Sequence, residues 1–288
     1  MAQITAALVK ELRDLTGAGM MECKKALTEA EGDMEAAVDV LRTRGLAAAA
    51  KRAGRATNEG RVNAVVEGNA GAVVQVNCET DFVALTDKFQ DYAAFFTQAV
   101  LENAPADVEA LLASSYDGKN IQEELTEAIH VIGENMQIAN FKRLEVEGTG
   151  ALVPYVHMNG KIGVLVSFAF ENAATAEDER FIACAKDVAM QIAALDPVSV
   201  DSDSVPEEVR KHEMDIYVAQ AAESGKPEAI QQKIAEGRMH KFYKESCLLE
   251  QDFVKDGDLS VGQYVKNASK ELGDELKVVT FARIALGD

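Results

Sequence analysis

Val76-Asn77-Cys78-Glu79-Thr80-Asp81-Phe82-Val83-Ala84 stands where a period-two pattern ends and a helical one begins. Before it, Val62, Ala64 and Val66 alternate, Gly68-Asn69-Ala70-Gly71 reads as a turn, and Val74 and Val76 continue on a second strand, which makes a β-hairpin. After it, the spacing predicts a helix over about 81–102 with Phe82, Leu85, Phe89, Tyr92, Phe96 and Val100 on one stripe. By that count Phe82 opens a buried face. Against it, the first residue of a stripe lies at the rim, and the neighbouring Asp81 is costly to bury unpaired. Thr80 or Asp81 also makes a good N-cap. The triplet Asp-Phe-Val recurs at Asp252-Phe253-Val254, so it carries little by itself. Whether Phe82 is core or an outward tool stays open on pattern alone.

Working outward, a second hairpin follows roughly ninety residues later. Leu152 to His157 and Ile162 to Phe170 flank Met158-Asn159-Gly160-Lys161, whose Asn-Gly pair suits a type I′ turn. A helix over about 120–133 precedes it. Another, over about 177–195, follows, with Phe181, Cys184, Val188, Ile192 and Leu195 on one face. Hairpin-then-helix occurring twice predicts an α+β fold whose core has two related halves. Pro197 and Pro206 then bracket an acidic connection to two helices, about 206–223 and 227–242, broken at Ser224-Gly225-Lys226-Pro227. Their apolar seams are thin (Val209, Ile216, Ala219 against Ile230, Ile234, Phe242), which predicts a protruding antiparallel helical hairpin. Two strand-like pieces, Cys247 to Val254 and Lys277 to Leu286, close the chain around a short helix.

Upstream, residues 1 to about 42 read as a three-helix unit. Thr5 caps a first helix with Leu8, Leu12 and Leu15 on one face, ended by Thr16-Gly17-Ala18-Gly19. A second helix carries Met20, Cys23, Ala26 and Leu27. A third starts at Asp33, with Ala37, Val38 and Leu41 inward. Adjacent Met20 and Met21 are either core or an adaptable contact surface. Residues 43–61, rich in Ala, Gly and basic side chains, read as a solvated, partly helical tether without aromatics to stack on bases. The domains are therefore drawn at 1–55, 56–145 and 146–288, with the helical hairpin inserted at about 197–243.

Charge and motif content exclude several functions. With 48 acidic and 29 basic residues the chain carries a formal charge of −19, which repels a nucleic-acid backbone, so no direct nucleic-acid binding is expected. No apolar run approaches a membrane span, and the charged N-terminal stretch does not read as a signal peptide, so the expectation is a cytoplasmic protein without membrane contact. Cys23, Cys78, Cys184 and Cys247 form no CxxC pair, and His130, His157, His212 and His240 lack metal spacing. Neither metal nor cofactor is expected. There is no phosphate loop, dinucleotide glycine fingerprint or nucleophile elbow. The chain reads as a binding protein rather than an enzyme. A non-catalytic helical adaptor or holdase is one such reading.

Leu12-Arg13-Asp14-Leu15-Thr16-Gly17-Ala18-Gly19-Met20-Met21-Glu22-Cys23-Lys24-Lys25-Ala26-Leu27 and the opening stretch together resemble the two signatures of the elongation factor Ts family. Ile132-Gly133-Glu134-Asn135, His157 with Lys161-Ile162-Gly163-Val164, Ser224-Gly225-Lys226-Pro227 and Glu236-Gly237-Arg238-Met239 match further family stretches in order. The resemblance implies a ubiquitin-associated-like N-terminal module, two core subdomains and a coiled-coil hairpin. It implies guanine-nucleotide exchange on elongation factor Tu, bound with GDP or nucleotide-free, with no covalent chemistry. Carried onto this sequence, the partner contact that dislocates magnesium falls on Thr80, Asp81, Phe82 and Val83. Further contacts fall on Met20, Met21, Ile132, Gly133 and His157. The resemblance also implies a C-terminal helix past the last strand. This sequence stops at Ala285-Leu286-Gly287-Asp288, so that contact is expected to be missing and partner affinity lower or redistributed.

Overall fold

The computed structural model describes residues 4–16, 18–223 and 225–287. Gly17 and Ser224, both within turns read from the sequence, and Asp288 lie outside the described residues.

Three helices come first: α1 (Ala6–Thr16), α2 (Met20–Glu29) and α3 (Met34–Arg52). Side-chain caps start two of them. The Thr5 hydroxyl accepts the Leu8 N–H at 3.2 Å, and the Asp33 carboxylate accepts the Ala36 N–H at 2.9 Å. Their shared core is small: Val9, Leu12, Ala18, Cys23, Ala26, Leu27, Ala37 and Leu41. Leu15 is not part of it. The buried residues of α1 are Val9 and Leu12, and Leu15 at the next turn is 67% exposed.

The expected tether is largely helix. α3 does not end near residue 42 but runs on to Arg52, as the good helix formers Ala47, Ala49 and Ala50 favour. It docks on α7 (Ile121–Ile132). Arg42 pairs with Glu123, and Gly45 is buried against His130. His130 Nε2 is in turn 3.5 Å from Glu22 on α2.

The body contains two three-stranded antiparallel sheets of like topology. In the first, β1 (Glu59–Glu67) and β2 (Ala70–Cys78) form the hairpin, turning through Gly68-Asn69 with Gly68 at φ +59. Then come α4 (Asp81–Ala84), α5 (Asp87–Asn103), α6 (Val108–Ala113), a small hairpin of β3 (Ser115–Tyr116) and β4 (Lys119–Asn120), and α7. β5 (Met136–Glu145) returns beside β2, giving the order β1-β2-β5. In the second, β6 (Gly150–His157) and β7 (Ile162–Ala169) lead through α8 (Glu179–Leu195) to the helical pair α9 (Glu207–Ala222) and α10 (Glu228–Ser246). A hairpin of β8 (Asp252–Phe253) and β9 (Asp256–Ser260) follows, then α11 (Val261–Leu272). β10 (Lys277–Ala285) returns beside β7, giving β10-β7-β6.

The period of two decides which way each central strand faces. Ala72, Val74 and Val76 of β2 join Phe89, Phe96 and Ile129 under the helices, while Val73 points the other way with Val62. Likewise Val164, Val166 and Phe168 meet α8, while Leu165 turns to Val73, Ala282 and Ile284. The layers are therefore helices, sheet, sheet, helices. The two sheets touch most closely at Gly163, where a Cβ would stand 2.5 Å from Val62 Cγ1 and 2.8 Å from Val73 Cγ2.

Several local readings change. The predicted helix over 81–102 is two helices, broken at Leu85-Thr86. The Met158-to-Lys161 turn has the positive φ expected of its Asn-Gly pair (54 and 91) and is closed by the Lys161 N–H on Met158 O at 3.3 Å, but Met158 adds a third positive φ (49) that the sequence does not announce. Leu195 is 46% exposed, one turn past the buried run of α8. Of the stretch Cys247 to Val254, only Asp252 and Phe253 form a strand. In the helical pair, Ala219 and Ile230 face solvent, and the buried seam is Ala221, Ala235 and Met239. Small alanines let the two backbones approach, and the pair packs almost wholly with itself. Among the described residues, no helix is long and apolar enough to cross a membrane.

Because the sheets leave no room at Gly163, Gly163→Ala should destabilise the protein by about 1–3 kcal/mol through overpacking. A urea-unfolding comparison with the wild type measures this, and an unchanged midpoint would refute the close packing.

Candidate functional site

The chain leaves β2 at Cys78 and enters α4 within two residues. Thr80 caps α4, its hydroxyl accepting the Val83 N–H at 3.4 Å. A second cap follows at once: Thr86 accepts the Phe89 N–H at 3.4 Å, and its own hydroxyl donates to Val83 O at 2.8 Å. Two caps so close together interrupt the helix and change its phase. Phe89, Phe96 and Val100 remain buried, but Phe82 is 79% exposed and Leu85 57%. The second Asp-Phe-Val makes the contrast: Phe253 is 4% exposed and stacks on Tyr264 at 4.2 Å between ring centroids. Phe82 therefore points outward, with Asp81 and Thr80 exposed beside it and Val83 half-buried beneath.

Two glutamates hold this turn. Glu134, at the start of the approach to β5, accepts the Glu79 and Thr80 N–H groups on Oε2, both at 3.0 Å, and the Thr80 hydroxyl on Oε1 at 2.7 Å. In return, Glu79 Oε1 accepts the Asn135 N–H at 2.7 Å, and Arg55 reaches both oxygens of Glu79 at 3.2 and 3.4 Å. Asn135 Nδ2 donates to Arg55 O at 2.8 Å, closing the circuit to the segment that follows α3. The Asn135 N–H, aided by Arg55, holds the Glu79 carboxyl below the usual glutamate range. The buried Cys78 thiol is pushed up to about 12 by desolvation and then by Glu134, and donates to Thr80 O at 3.2 Å. It is a structural thiol rather than a nucleophile.

The other residues singled out in the sequence fall into different settings. Met20 and Met21 are both exposed, 54% and 64%, on the first turn of α2. Ile132 is half-buried against the helical core, and Gly133 closes α7 in the left-handed region (φ 87), feeding the chain into Glu134. His157 is half-buried at the end of β6, its Nδ1 2.8 Å from the Tyr155 hydroxyl, beside Met158 at 62% exposure. The following Lys161 lies 4.0 Å from Glu59, which pairs with Cys78 across the β1–β2 ladder. The His157 loop thus sits at the same end of the paired sheets as Phe82.

A cleft of about 820 Å³ between the three-helix unit and the α5–α7 face is lined by Leu15, Val38, Arg42, Tyr92, Phe95 and Glu127 among others. Burial raises the Glu127 carboxyl. Among the described residues, no group of three or more His, Cys, Asp or Glu side chains is placed to hold a metal ion.

The profile of the family described as "Elongation factor TS" matches residues 79–288. The chain belongs to the elongation factor Ts family. It is 49% identical over 290 residues to elongation factor Ts of Trichlorobacter lovleyi, covering 99% of this chain and 93% of the relative. It is 48% identical over 288 residues to that of Clostridium perfringens, with the same coverage. It is 46% identical over 289 residues to that of Desulfovibrio desulfuricans, covering 99% of both. The family is one of translation elongation factors, active in protein biosynthesis. In the sequence Glu79, Glu134 and Asn135 stand only as parts of motifs, and Arg55 carries no signal of its own. The hydrogen bond joining Glu79 to Glu134 spans 55 positions, and no local pattern reports it.

The depressed Glu79 carboxyl has a pH consequence. Its hydrogen bonds stabilise the folded state fully above the ordinary glutamate value of 4.5, and that contribution is lost as pH falls through the lower folded value. Glu79→Gln should therefore lower the melting temperature at neutral pH, with the difference shrinking as the pH is taken below that range. A difference that stays constant with pH would show that the carboxylate charge is not involved.

Proposed function

We propose that the protein is a guanine-nucleotide exchange factor for elongation factor Tu. It binds that GTPase in its GDP and nucleotide-free forms and carries out no covalent chemistry. The observation that carries this is Phe82: a large aromatic ring 79% exposed on a one-turn helix whose base is fixed by Thr80, Glu79 and Glu134. A soluble protein has no folding reason to hold a ring there. Phe253, in the same local sequence, is buried.

In this reading Phe82 wedges beside the GTPase's magnesium and phosphate site, with Thr80, Asp81 and Val83 shaping its base. An aromatic ring buries about 150–250 Å² on contact, enough to drive the displacement of a helix. Magnesium tolerates little departure from octahedral geometry, so a small shift of its surroundings weakens it and GDP leaves. Linkage makes the effect reciprocal: a factor that weakens nucleotide binding is itself expelled when GTP binds. The three-helix unit, taken as a ubiquitin-associated-like module over 1–55 with Met20 and Met21 outward, and the first core half over 56–145 grip the GTP-binding domain. The second half, 146–288, reaches another domain of the GTPase through the His157 end, with the helical hairpin as a coiled-coil projection. In this role the protein works in the cytosol and needs no cofactor.

The test is release of labelled GDP from elongation factor Tu with and without the protein. Phe82→Ala should cost about 2 kcal/mol or more of stimulation, roughly thirty-fold, as truncating an aromatic anchor does. Undiminished stimulation by that variant would remove the wedge from the account.

A further inference from the structure

A one-turn helix has no stability of its own, because nucleation fixes several residues for a single hydrogen bond. α4 spans only Asp81–Ala84, yet it must present Phe82 in one orientation if the ring is to act as a wedge. A ring that ordered only on contact would spend binding energy on its own ordering. The order therefore has to come from outside the helix, and its source is visible. Both oxygens of Glu134 are used on the entry to the turn, Oε2 on the Glu79 and Thr80 N–H groups and Oε1 on the Thr80 hydroxyl. A hydroxyl has one proton to give. With that proton committed to Glu134, the lone pairs of Thr80 Oγ1 are left for the Val83 N–H, which is the hydrogen bond that starts α4.

We infer that Glu134, with Glu79 as its reciprocal partner, is a positioning residue for nucleotide exchange: it touches no substrate and acts by holding Phe82 in its wedge orientation. The inference rests on the exchange reading given above. Glu79 completes it from the other side by taking the Asn135 N–H, which keeps the segment bearing Glu134 against the end of β2. Arg55 ties the same carboxylate to the chain leaving α3. The ring, the C-terminus of α7 and the attachment of the three-helix unit are thus joined in one hydrogen-bonded circuit.

Two measurements on the full-length protein test this. The first needs no GTPase: amide hydrogen exchange across residues 79–86 in the free protein. Glu134→Ala should speed exchange of this segment roughly ten-fold or more, since it strips the acceptor from two main-chain donors. Glu134→Gln, which keeps an acceptor oxygen for them, should retain most of the protection. Unchanged protection in Glu134→Ala overturns the proposal. The second is GDP release in a double-mutant cycle. Glu134→Ala should lower stimulation roughly ten-fold when Phe82 is present and add no further loss in a Phe82→Ala background. Equal losses in both backgrounds would mean Glu134 acts independently of the ring, and would overturn the positioning role. A Phe82→Ala protein as active as the wild type removes the wedge reading instead, and the amide-exchange arm still decides the clamp. Melting temperatures of all variants separate either result from general unfolding, and Glu134→Asp, whose shorter side chain withdraws the acceptor oxygens, serves where the alanine variant does not fold, with the same losses expected and unchanged protection again overturning the proposal.

Discussion

Where β2 ends, the Glu79 and Thr80 N–H groups have left the sheet ladder and α4 has not yet begun, so their hydrogen bonds must come from elsewhere. Glu134 supplies them, and Glu79 returns the favour to Asn135, so that two carboxylates trade main-chain donors across the join between β2 and β5. Bonds to ionised acceptors are shorter and stronger than neutral ones, which suits a turn that must hold an exposed ring still. The orientation of Phe82, the capping of α4 and the junction with Arg55 all depend on that trade.

The frame behind it is stiff for a different reason. Two sheets lie face to face through Val62, Val73, Leu165, Ala282 and Ile284, with Gly163 permitting the approach and helices covering both outer faces. β2 is central in its sheet and buried on both sides, so its end is a fixed platform. The His157 loop is carried to the same end by Lys161 and Glu59. The helical pair α9–α10 is the opposite case. Its buried seam is Ala221, Ala235 and Met239, and it packs almost wholly with itself. In the exchange role proposed above, the residues that need precision sit on the platform, and reach is left to the helical pair.

Much of this was legible because it is local. The two hairpins, the Asp33 and Thr80 caps and the inward faces of α3 and α8 follow from period and capping chemistry within a few residues. The break at Leu85 carried a signal too, since Thr86-Asp87 is a good helix start, but the aromatic stripe running from Phe82 to Val100 masked it. β5 was not legible. Only its first turns alternate (Met136 and Ile138 buried), and its later residues mix Phe141 with charge, so it reads as a strand only once β2 is known to need a second neighbour. The docking of α3 on α7 and the Glu79–Glu134 trade are contacts between distant parts of the chain, which periodicity does not encode. The orientation of Phe82 was the decisive case. Local period made it core, the family resemblance turned it outward, and the double cap is the physical reason it faces solvent.

If the ring acts on the magnesium site, the size of its effect must depend on magnesium being there. The most direct measurement is the rate of GDP release from elongation factor Tu with saturating protein, in magnesium and again in excess chelator. The account predicts a smaller acceleration factor once the metal has been stripped, because part of what Phe82 accomplishes has already been done. An acceleration factor that is the same with and without magnesium would contradict it.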